Sequence, residues 1–210
     1  LWPDVHGGRP VSRGVAVVAQ SSNILLNLTM QRRGVPIAYA VAAGNQARTS
    51  LADIAGACLD DPRVTAIGLH VEGIGDVRAL ERLAGAARAR GVGIVVLRIG
   101  RSDRGRAGAV SHTASLAGGD AAARAFFARL RIGTVETLPE FLAALALLHV
   151  HGPLPGARLG AMSCSGGEAN LVADLAETRA VALPALPEAT RARLAAALGS
   201  GVALANPLDY

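Results

Sequence analysis

The sequence predicts an α/β protein built on a doubly wound parallel sheet. Before residue 152, five short apolar runs recur, and each is followed by a segment with helical spacing. The connections between these segments are short, which favours consecutive βα units. The runs are apolar nearly throughout, as is typical of parallel strands covered by helices on both faces.

Each element is predicted from its own residues. The strands are assigned to the apolar runs at 14–19, 37–42, 64–71, 92–97 and 132–135. The helices are assigned to the periodic segments at 24–33, 50–59, 77–90, a segment that ends near 130, and 138–149. Gly34 before Pro36 ends the first helix, and Pro62 after two aspartates ends the second. Five such units predict a flavodoxin-like sheet.

A domain boundary is predicted at residues 152–156, where the sequence reads GPLPG. The first domain then spans 14–151, and residues 1–13, which lack periodicity, form a linker that enters it. The second domain spans 152–210, with strands at 157–162 and 181–183 and helices at 168–177 and 188–198. Because two strands make a poor sheet, we expect this domain to be truncated or dependent on the first.

Composition narrows the class of protein. Apolar residues make up 51% of the 210 residues, aromatic residues only 3%, and the net charge is +5. All basic residues are arginines, spread along the chain without a basic tail. Because aromatic platforms for bases are scarce as well, nucleic-acid binding is not expected.

The compartment is predicted from what the sequence lacks. Cys58 and Cys164, the two cysteines, lie in apolar patterns and are interpreted as core residues, without the spacing of a metal site. No signal peptide and no apolar run of roughly 20 residues is present. We therefore expect a cytoplasmic protein that neither binds metal through this chain nor crosses a membrane.

The strongest functional candidate is His112, in the stretch 110–120 that reads VSHTASLAGGD. It follows the fourth predicted strand and precedes a helix, and ligands of open α/β sheets bind at that edge. Glu72 follows the third strand and is predicted at the same edge. Taken alone, His112 is explained by loop packing and Glu72 by a solvated loop.

Two helix starts are candidate phosphate-binding sites. One comprises Ser21, Ser22 and Asn23 after the first strand, and the other comprises Ser165, Gly166 and Gly167 in the second domain. The free N–H groups and positive dipole end of a helix favour an anion. Helix capping by the serines is the competing interpretation.

The combination predicts a phosphohistidine. Neutral imidazole, with an unperturbed pKa of about 6.5, is nucleophilic near pH 7. A carboxylate such as Glu72 on the other ring nitrogen fixes the tautomer and stabilises the positive charge that develops. Helix N-termini would hold the phosphoryl oxygens.

These residues carry a resemblance to a known family. The sequence SHTASLAGGD at 111–120 resembles the SHTGSLAGSD loop of the NDP-forming acyl-CoA synthetases, relatives of succinyl-CoA synthetase. Similar segments follow the family's order from about Gly14 to the end of the chain. They are AQSS at 19–22, VEGI at 71–74, GR at 100–101, SGG at 165–167 and NPLD at 206–209.

The resemblance implies a reversible three-stage reaction. Acyl-CoA and phosphate form an acyl phosphate, its phosphoryl group passes to His112, and the phosphohistidine then phosphorylates ADP or GDP. Glu72 would orient His112, and the helices at Ser21 and Ser165 would bind the phosphoryl group. CoA, ATP or ADP and Mg²⁺ would bind in the full-length enzyme, on CoA-binding and ATP-grasp domains absent from this sequence, so this chain is expected to be a fragment.

Three departures from the family pattern bear on the site. Ser22 and Ala114 each replace a glycine, and both changes are mild. Glu168 follows Gly167 where a neutral residue is usual, and its carboxylate would repel a phosphoryl anion unless it points away.

Two other functions stay open at this point. One is a non-catalytic acyl-CoA-binding region of the kind fused to acetyltransferases, although His112 and Glu72 are both present here. The other is a different flavodoxin-like binding domain, such as a receiver, although the acidic cluster of a receiver is missing after the first strand. The acyl substrate, the choice of ADP or GDP, and the oligomeric state, including a homo-oligomer, are not predicted.

Overall fold

The computed structural model describes residues 6–102, 105, 119–199 and 201–210. Its contacts divide the chain into two compact units, Leu1–Pro153 and Leu154–Tyr210. The first unit contains a five-stranded sheet and the second a two-stranded sheet.

The sheet of the first unit is parallel throughout, with the strand order β2-β1-β3-β4-β5. Its strands are β1 Gly14–Ala19, β2 Ile37–Ala42, β3 Val64–Val71, β4 Gly93–Arg98 and β5 Gly133–Val135. This order is the one typical of flavodoxin-like sheets. The predicted fold class is confirmed.

Within the described part of the chain, five helices cover the two faces of this sheet. They are α1 Ser22–Thr29, α2 Leu51–Leu59, α3 Val77–Ala89, α4 Asp120–Arg129 and α5 Leu138–His151. Residues of α2, α3 and α4 share one buried apolar cluster, whereas residues of α1 and α5 share the other. Side chains of β1 alternate between the two clusters, since successive residues of a strand point to opposite faces.

The helix starts are encoded locally. Ser50 and Asp53 form a capping box at α2, and Thr137 and Glu140 form another at α5. Such reciprocal bonds satisfy backbone N–H groups that the first turn of a helix leaves without a partner.

Helix α5 packs very closely on the central strand. A Cβ atom added to Gly68 of β3 would lie 2.6 Å from Phe141 Cζ and 3.0 Å from Leu145 Cδ1. Both partners are fully buried. The absence of a side chain at Gly68 therefore lets the aromatic ring of α5 reach the sheet.

Helix α1 is shorter than predicted and begins earlier. It ends at Thr29, whose hydroxyl donates to Leu26 O at 2.7 Å and accepts from Gly7 N at 3.1 Å. Beyond it, the Gln31 amide donates to Val35 O and accepts from Arg33 N. These side-chain bonds replace helical backbone bonds, which explains why the helical spacing of 30–33 does not continue the helix.

The second unit departs most from the prediction. Its strands are β6 Met162–Ser163 and β7 Leu208–Asp209, which pair in parallel, and its helices are α6 Gly166–Thr178 and α7 Glu188–Leu198. The predicted strands at 157–162 and 181–183 are wrong over most of their length, because only one bridge, between Arg158 and Ala182, joins them.

The side chain of Asn206 replaces the missing strand pairing. Its amide oxygen accepts from Ala161 N, and its amide nitrogen donates to Leu159 O and Pro184 O, at 2.8 to 3.0 Å. Strand β6 ends at Ser163, so Cys164 lies in the following turn and is exposed, whereas Cys58 is buried as predicted. The interpretation of Cys164 as a core residue is wrong.

Candidate functional site

The segments that follow β1 and β3 lie side by side at one edge of the sheet. The two strands are parallel neighbours, with Ala19 beside His70. Ser21 and Glu72 therefore leave the sheet at the same edge, its carboxyl edge. His112 lies outside the described residues, so its position relative to Glu72 stays a prediction.

Gln20 joins the two segments at this edge. Its side-chain oxygen accepts from the backbone N of Glu72 and, at 3.0 Å, from the N of Gly73, and its side-chain nitrogen donates to Gly73 O at 3.0 Å. The residue is buried, and its own backbone N donates to His70 O at 3.2 Å. Glu72 is thus attached through its backbone to the start of α1, while its side chain is half-buried.

The start of α1 combines helix capping with exposed polar groups. Ser21 is the cap, and its hydroxyl accepts from Ile24 N at 3.4 Å. Ser22 and Asn23 are exposed, and the first turn contains no acidic residue. Because the first N–H groups of a helix carry partial positive charge, this end can attract an anion while Ser21 still acts as the cap.

A partly buried ion pair lies at the end of β4. Arg98 Nη1 lies 2.8 Å from Asp120 Oδ1, and the Arg98 side chain is only 5% exposed. Asp120 is the first residue of α4, and Arg124 lies 3.1 Å from its other oxygen. The contact joins the end of β4 to the first residue of α4.

The start of α6 in the second unit is chemically different. Ser165 caps the helix with its hydroxyl 3.5 Å from Glu168 N, and the Glu168 carboxylate accepts from Ser163 Oγ at 2.5 Å. A Cβ atom added to Gly166 would lie 2.8 Å from Asp209 Oδ2, and Gly167 is exposed. Two carboxylates therefore already complement this helix dipole, so phosphate binding by Ser165, Gly166 and Gly167 is less favourable electrostatically than at α1.

The remaining described histidines serve other purposes. His149 Nδ1 lies 2.7 Å from Thr65 Oγ1, at the opposite edge of the sheet, and His6 Nδ1 accepts from Gly8 N. His70 is fully buried, and neither ring nitrogen has a hydrogen-bond partner among the described residues. Burial lowers its pKa, which keeps the ring neutral.

Two surface cavities lie at the edge of the sheet where the strands begin, which is the edge opposite to Glu72. One of about 670 Å³ borders the starts of β3 and β4, and one of about 930 Å³ borders the end of α1 and the start of β2. Within the described residues, no group of three His, Cys, Asp or Glu side chains is arranged to hold a metal ion. The part of the chain that the structure describes also contains no helix with the length and apolar character of a membrane span.

The sequence matches a family model over residues 12–148, more than half of the chain. The model describes a succinyl-CoA ligase like flavodoxin domain, and the matched span contains Gln20, Glu72, Arg98, His112 and Asp120. The chain belongs to this family. The resemblance stated from the motifs is confirmed at this level.

Characterised relatives of this succinyl-CoA ligase like domain are acyl-CoA ligases. A trans-feruloyl-CoA synthase from an unknown prokaryotic organism is 28% identical over 94% of this chain and 28% of its own length. Subunit alpha of an ADP-forming acetate–CoA ligase from Pyrococcus furiosus is 30% identical over 93% of this chain and 43% of its own length. The chain thus spans less than half the length of these relatives.

A solved structure shares the fold of the whole chain. The acetyl-coenzyme A synthetase 1 of Ca. Korarchaeum cryptofilum, described as dinucleotide forming and solved with phosphate and ADP, superposes with a TM-score of 0.84. The match is 24% identical and covers 96% of this chain and 44% of that one. This similarity supports the architecture of the succinyl-CoA ligase like domain.

The sequence patterns identified Ser21 and Glu72 as edge residues but missed the polar contacts that hold the edge together. Gln20 and Arg98 are polar residues at the ends of apolar strands and are buried, whereas Asp120, at the start of a helix, is half-buried. A polar residue directly after an apolar run was the available signal for Gln20 and Arg98, since buried polar groups require partners.

Proposed function

We propose that this chain is the phosphoryl-carrying part of an NDP-forming acyl-CoA synthetase. The reaction converts acyl-CoA, phosphate and ADP or GDP into the carboxylic acid, CoA and ATP or GTP. Acyl-CoA and phosphate first give an acyl phosphate and free CoA. The phosphoryl group then moves to His112, which releases the carboxylate, and finally to the nucleoside diphosphate.

The arrangement of Glu72 and α1 is the observation that carries this proposal. A buried amide, that of Gln20, ties the Glu72 backbone to the start of a helix with no acidic residue in its first turn. A carboxylate residue whose backbone is held beside a helix N-terminus suits a phosphohistidine, because the carboxylate can accept a hydrogen bond from the ring N–H while the helix end attracts the phosphoryl oxygens. Membership of the succinyl-CoA ligase like family supports the same chemistry.

In the proposed mechanism, Glu72 accepts a hydrogen bond from one ring nitrogen of His112, which leaves the other nitrogen unprotonated and nucleophilic. As the phosphoryl group arrives, positive charge develops on the ring and the carboxylate stabilises it. The N–H groups at Ser22 and Asn23 hold the phosphoryl oxygens. The second helix start, at Ser165, Gly166 and Gly167, assists only if the charge of Glu168 and Asp209 is offset.

The complete enzyme requires further parts. We propose that CoA-binding and ATP-grasp domains, in the same polypeptide or in a partner subunit, supply the CoA site and the site for nucleotide and Mg²⁺. The lengths of the relatives support this arrangement, since the chain covers 28% of some of them and 43% of a subunit alpha. A cytoplasmic setting fits these soluble substrates.

Labelling of the complete enzyme tests the proposal. Incubation with ATP labelled on its γ-phosphate and Mg²⁺ should give a phosphoprotein that is stable to base and labile to acid, and ADP should discharge it. The label should map to a peptide that contains residue 112. An unlabelled enzyme, or one with acid-stable label, would contradict the proposal and favour the acyl-CoA-binding alternative.

We expect Glu72→Gln to slow phosphorylation by on the order of 10²-fold, the usual effect of removing one electrostatic partner. An amide still hydrogen-bonds the ring but does not offset its positive charge. The fold should persist, because Gln20 binds the backbone at Glu72 and not its side chain. Rapid-quench measurement of the label gives the rate, and an unchanged rate would remove Glu72 from the mechanism.

A further inference from the structure

The side chain of Gln20 has all of its described hydrogen bonds with one short stretch of backbone. The amide oxygen accepts from Glu72 N and Gly73 N, and the amide nitrogen donates to Gly73 O. The two distances to Gly73 are both 3.0 Å. Because this amide both accepts hydrogen bonds from the stretch and donates one to it, it fixes the distance and the orientation of the stretch relative to Gln20.

The backbone of Gln20 reinforces this attachment. It lies between Ala19, the last residue of β1, and Ser21, the cap of α1, and its N–H donates to His70 O at 3.2 Å. Main chain and side chain of one residue therefore both bind the stretch 70–73. The Cα of Glu72 is held at a defined place relative to the first turn of α1.

The bonds of Gln20 are protected from water. Only 8% of the residue is exposed, and Gly73 is buried. In such surroundings, hydrogen bonds are not exchanged for bonds to solvent, and an unmade bond is costly. The segment that carries Glu72 is therefore much more restricted than an exposed loop.

A neutral amide also suits the local charges. A glutamate at position 20 would lose the donor for Gly73 O and would add a second carboxylate beside Glu72. A lysine would lose the acceptor for both N–H groups. Only a side chain with a donor and an acceptor at its tip holds this backbone without changing the charge near α1.

We propose that Gln20 is a positioning residue, which places the Glu72 carboxylate for the ring of the phosphorylated histidine. The inference rests on the proposed function, and Gln20 itself touches no reacting atom. A misplacement of about 1 Å at such a site costs up to about 10²-fold in rate. Loss of the hydrogen bonds made by the Gln20 side chain should therefore lower the rate of phosphorylation while leaving nucleotide binding unchanged.

A double-mutant cycle in the complete enzyme separates positioning from general stability. The variants are Gln20→Met, which keeps the volume of the side chain without its hydrogen bonds, Glu72→Ala, and the two combined. We expect Gln20→Met to lower the phosphorylation rate constant by about 10- to 100-fold with an unchanged KM for ATP. In the Glu72→Ala background, the same change should lower the rate less than about 2-fold, since coupled residues are not additive.

Gln31→Met is the matched control. Gln31 is partly buried and, like Gln20, binds backbone with both ends of its amide, but at the far end of α1. This variant should lose thermal stability to a similar extent and keep the wild-type rate. In the Gln20→Met enzyme alone, hydrogen exchange at the amides of Glu72 and Gly73 should accelerate.

The outcomes are distinct. If the wild type is labelled but Gln20→Met and Glu72→Ala lower the rate independently, so that their effects multiply, the positioning role is contradicted. The proposed function then stays in place. Equal slowing by Gln31→Met, or unchanged exchange at Glu72 and Gly73, also contradicts it. A wild type that forms no phosphohistidine contradicts the proposed function itself, and the positioning role is then rejected with it.

Discussion

Replacement of His112 by alanine is expected to remove the acid-labile label entirely and to lower acyl-CoA formation by on the order of 10⁴-fold or more. Imidazole is the one side chain of the segment 111–115 that is nucleophilic near neutral pH without a separate base. Ser111, Thr113 and Ser115 carry hydroxyls, and phosphoesters on them would resist acid. The measurement is retained label after acid and after base, beside the steady-state rate.

His151→Ala is the control for this result. His151 is an exposed histidine at the end of α5, at the opposite edge of the sheet from Glu72. Its loss should leave both the label and the rate at wild-type values. Ordinary turnover by His112→Ala would exclude a phosphohistidine at this position.

The second large effect concerns stability. Asp120→Ala should lower the free energy of unfolding of this chain by about 2 kcal/mol, because it removes one charged hydrogen-bond partner of a buried arginine. The Arg98 side chain is 5% exposed, so water does not replace the lost partner well. Urea unfolding followed by circular dichroism measures the loss.

Glu81→Ala provides the comparison for Asp120→Ala. Glu81 pairs with Arg129, but the two side chains are 39% and 59% exposed, and such surface pairs contribute less than about 1 kcal/mol. Replacing both partners of the partly buried pair, as Arg98→Met with Asp120→Leu, should recover much of the stability. If Asp120→Ala costs no more than Glu81→Ala, the pair at the end of β4 does not stabilise the fold.

The five-stranded sheet was predictable because each of its strands and helices is specified by residues that are close together in the sequence. Strand β1 is a continuous apolar run, β3 and β4 are mostly apolar, and Ser50 and Thr137 mark helix starts within four residues of sequence. Parallel strands joined by helices leave little freedom in topology. The edge at which Ser21 and Glu72 emerge follows directly from this topology.

The contacts that hold the site were not predictable, since they join residues far apart in the chain. Gln20 binds the backbone 52 and 53 positions away, and Arg98 meets Asp120 across 22 positions. No periodic pattern encodes such pairs. In the second unit, the apolar pattern at 157–162 predicted a strand, but a strand forms only where a partner strand is present, and β7 pairs with β6 alone.

The pair of Arg98 and Asp120 also affects the conformational entropy of the segment between these two residues. It brings side-chain atoms of residues 22 positions apart to within 2.8 Å, so the two ends of the intervening segment are held near each other. The free-energy cost of closing such a segment, which is entropic, rises slowly with its length, by about 0.6 kcal/mol for each doubling. We therefore expect the stability of the sheet to depend only weakly on the length of the segment between these two residues.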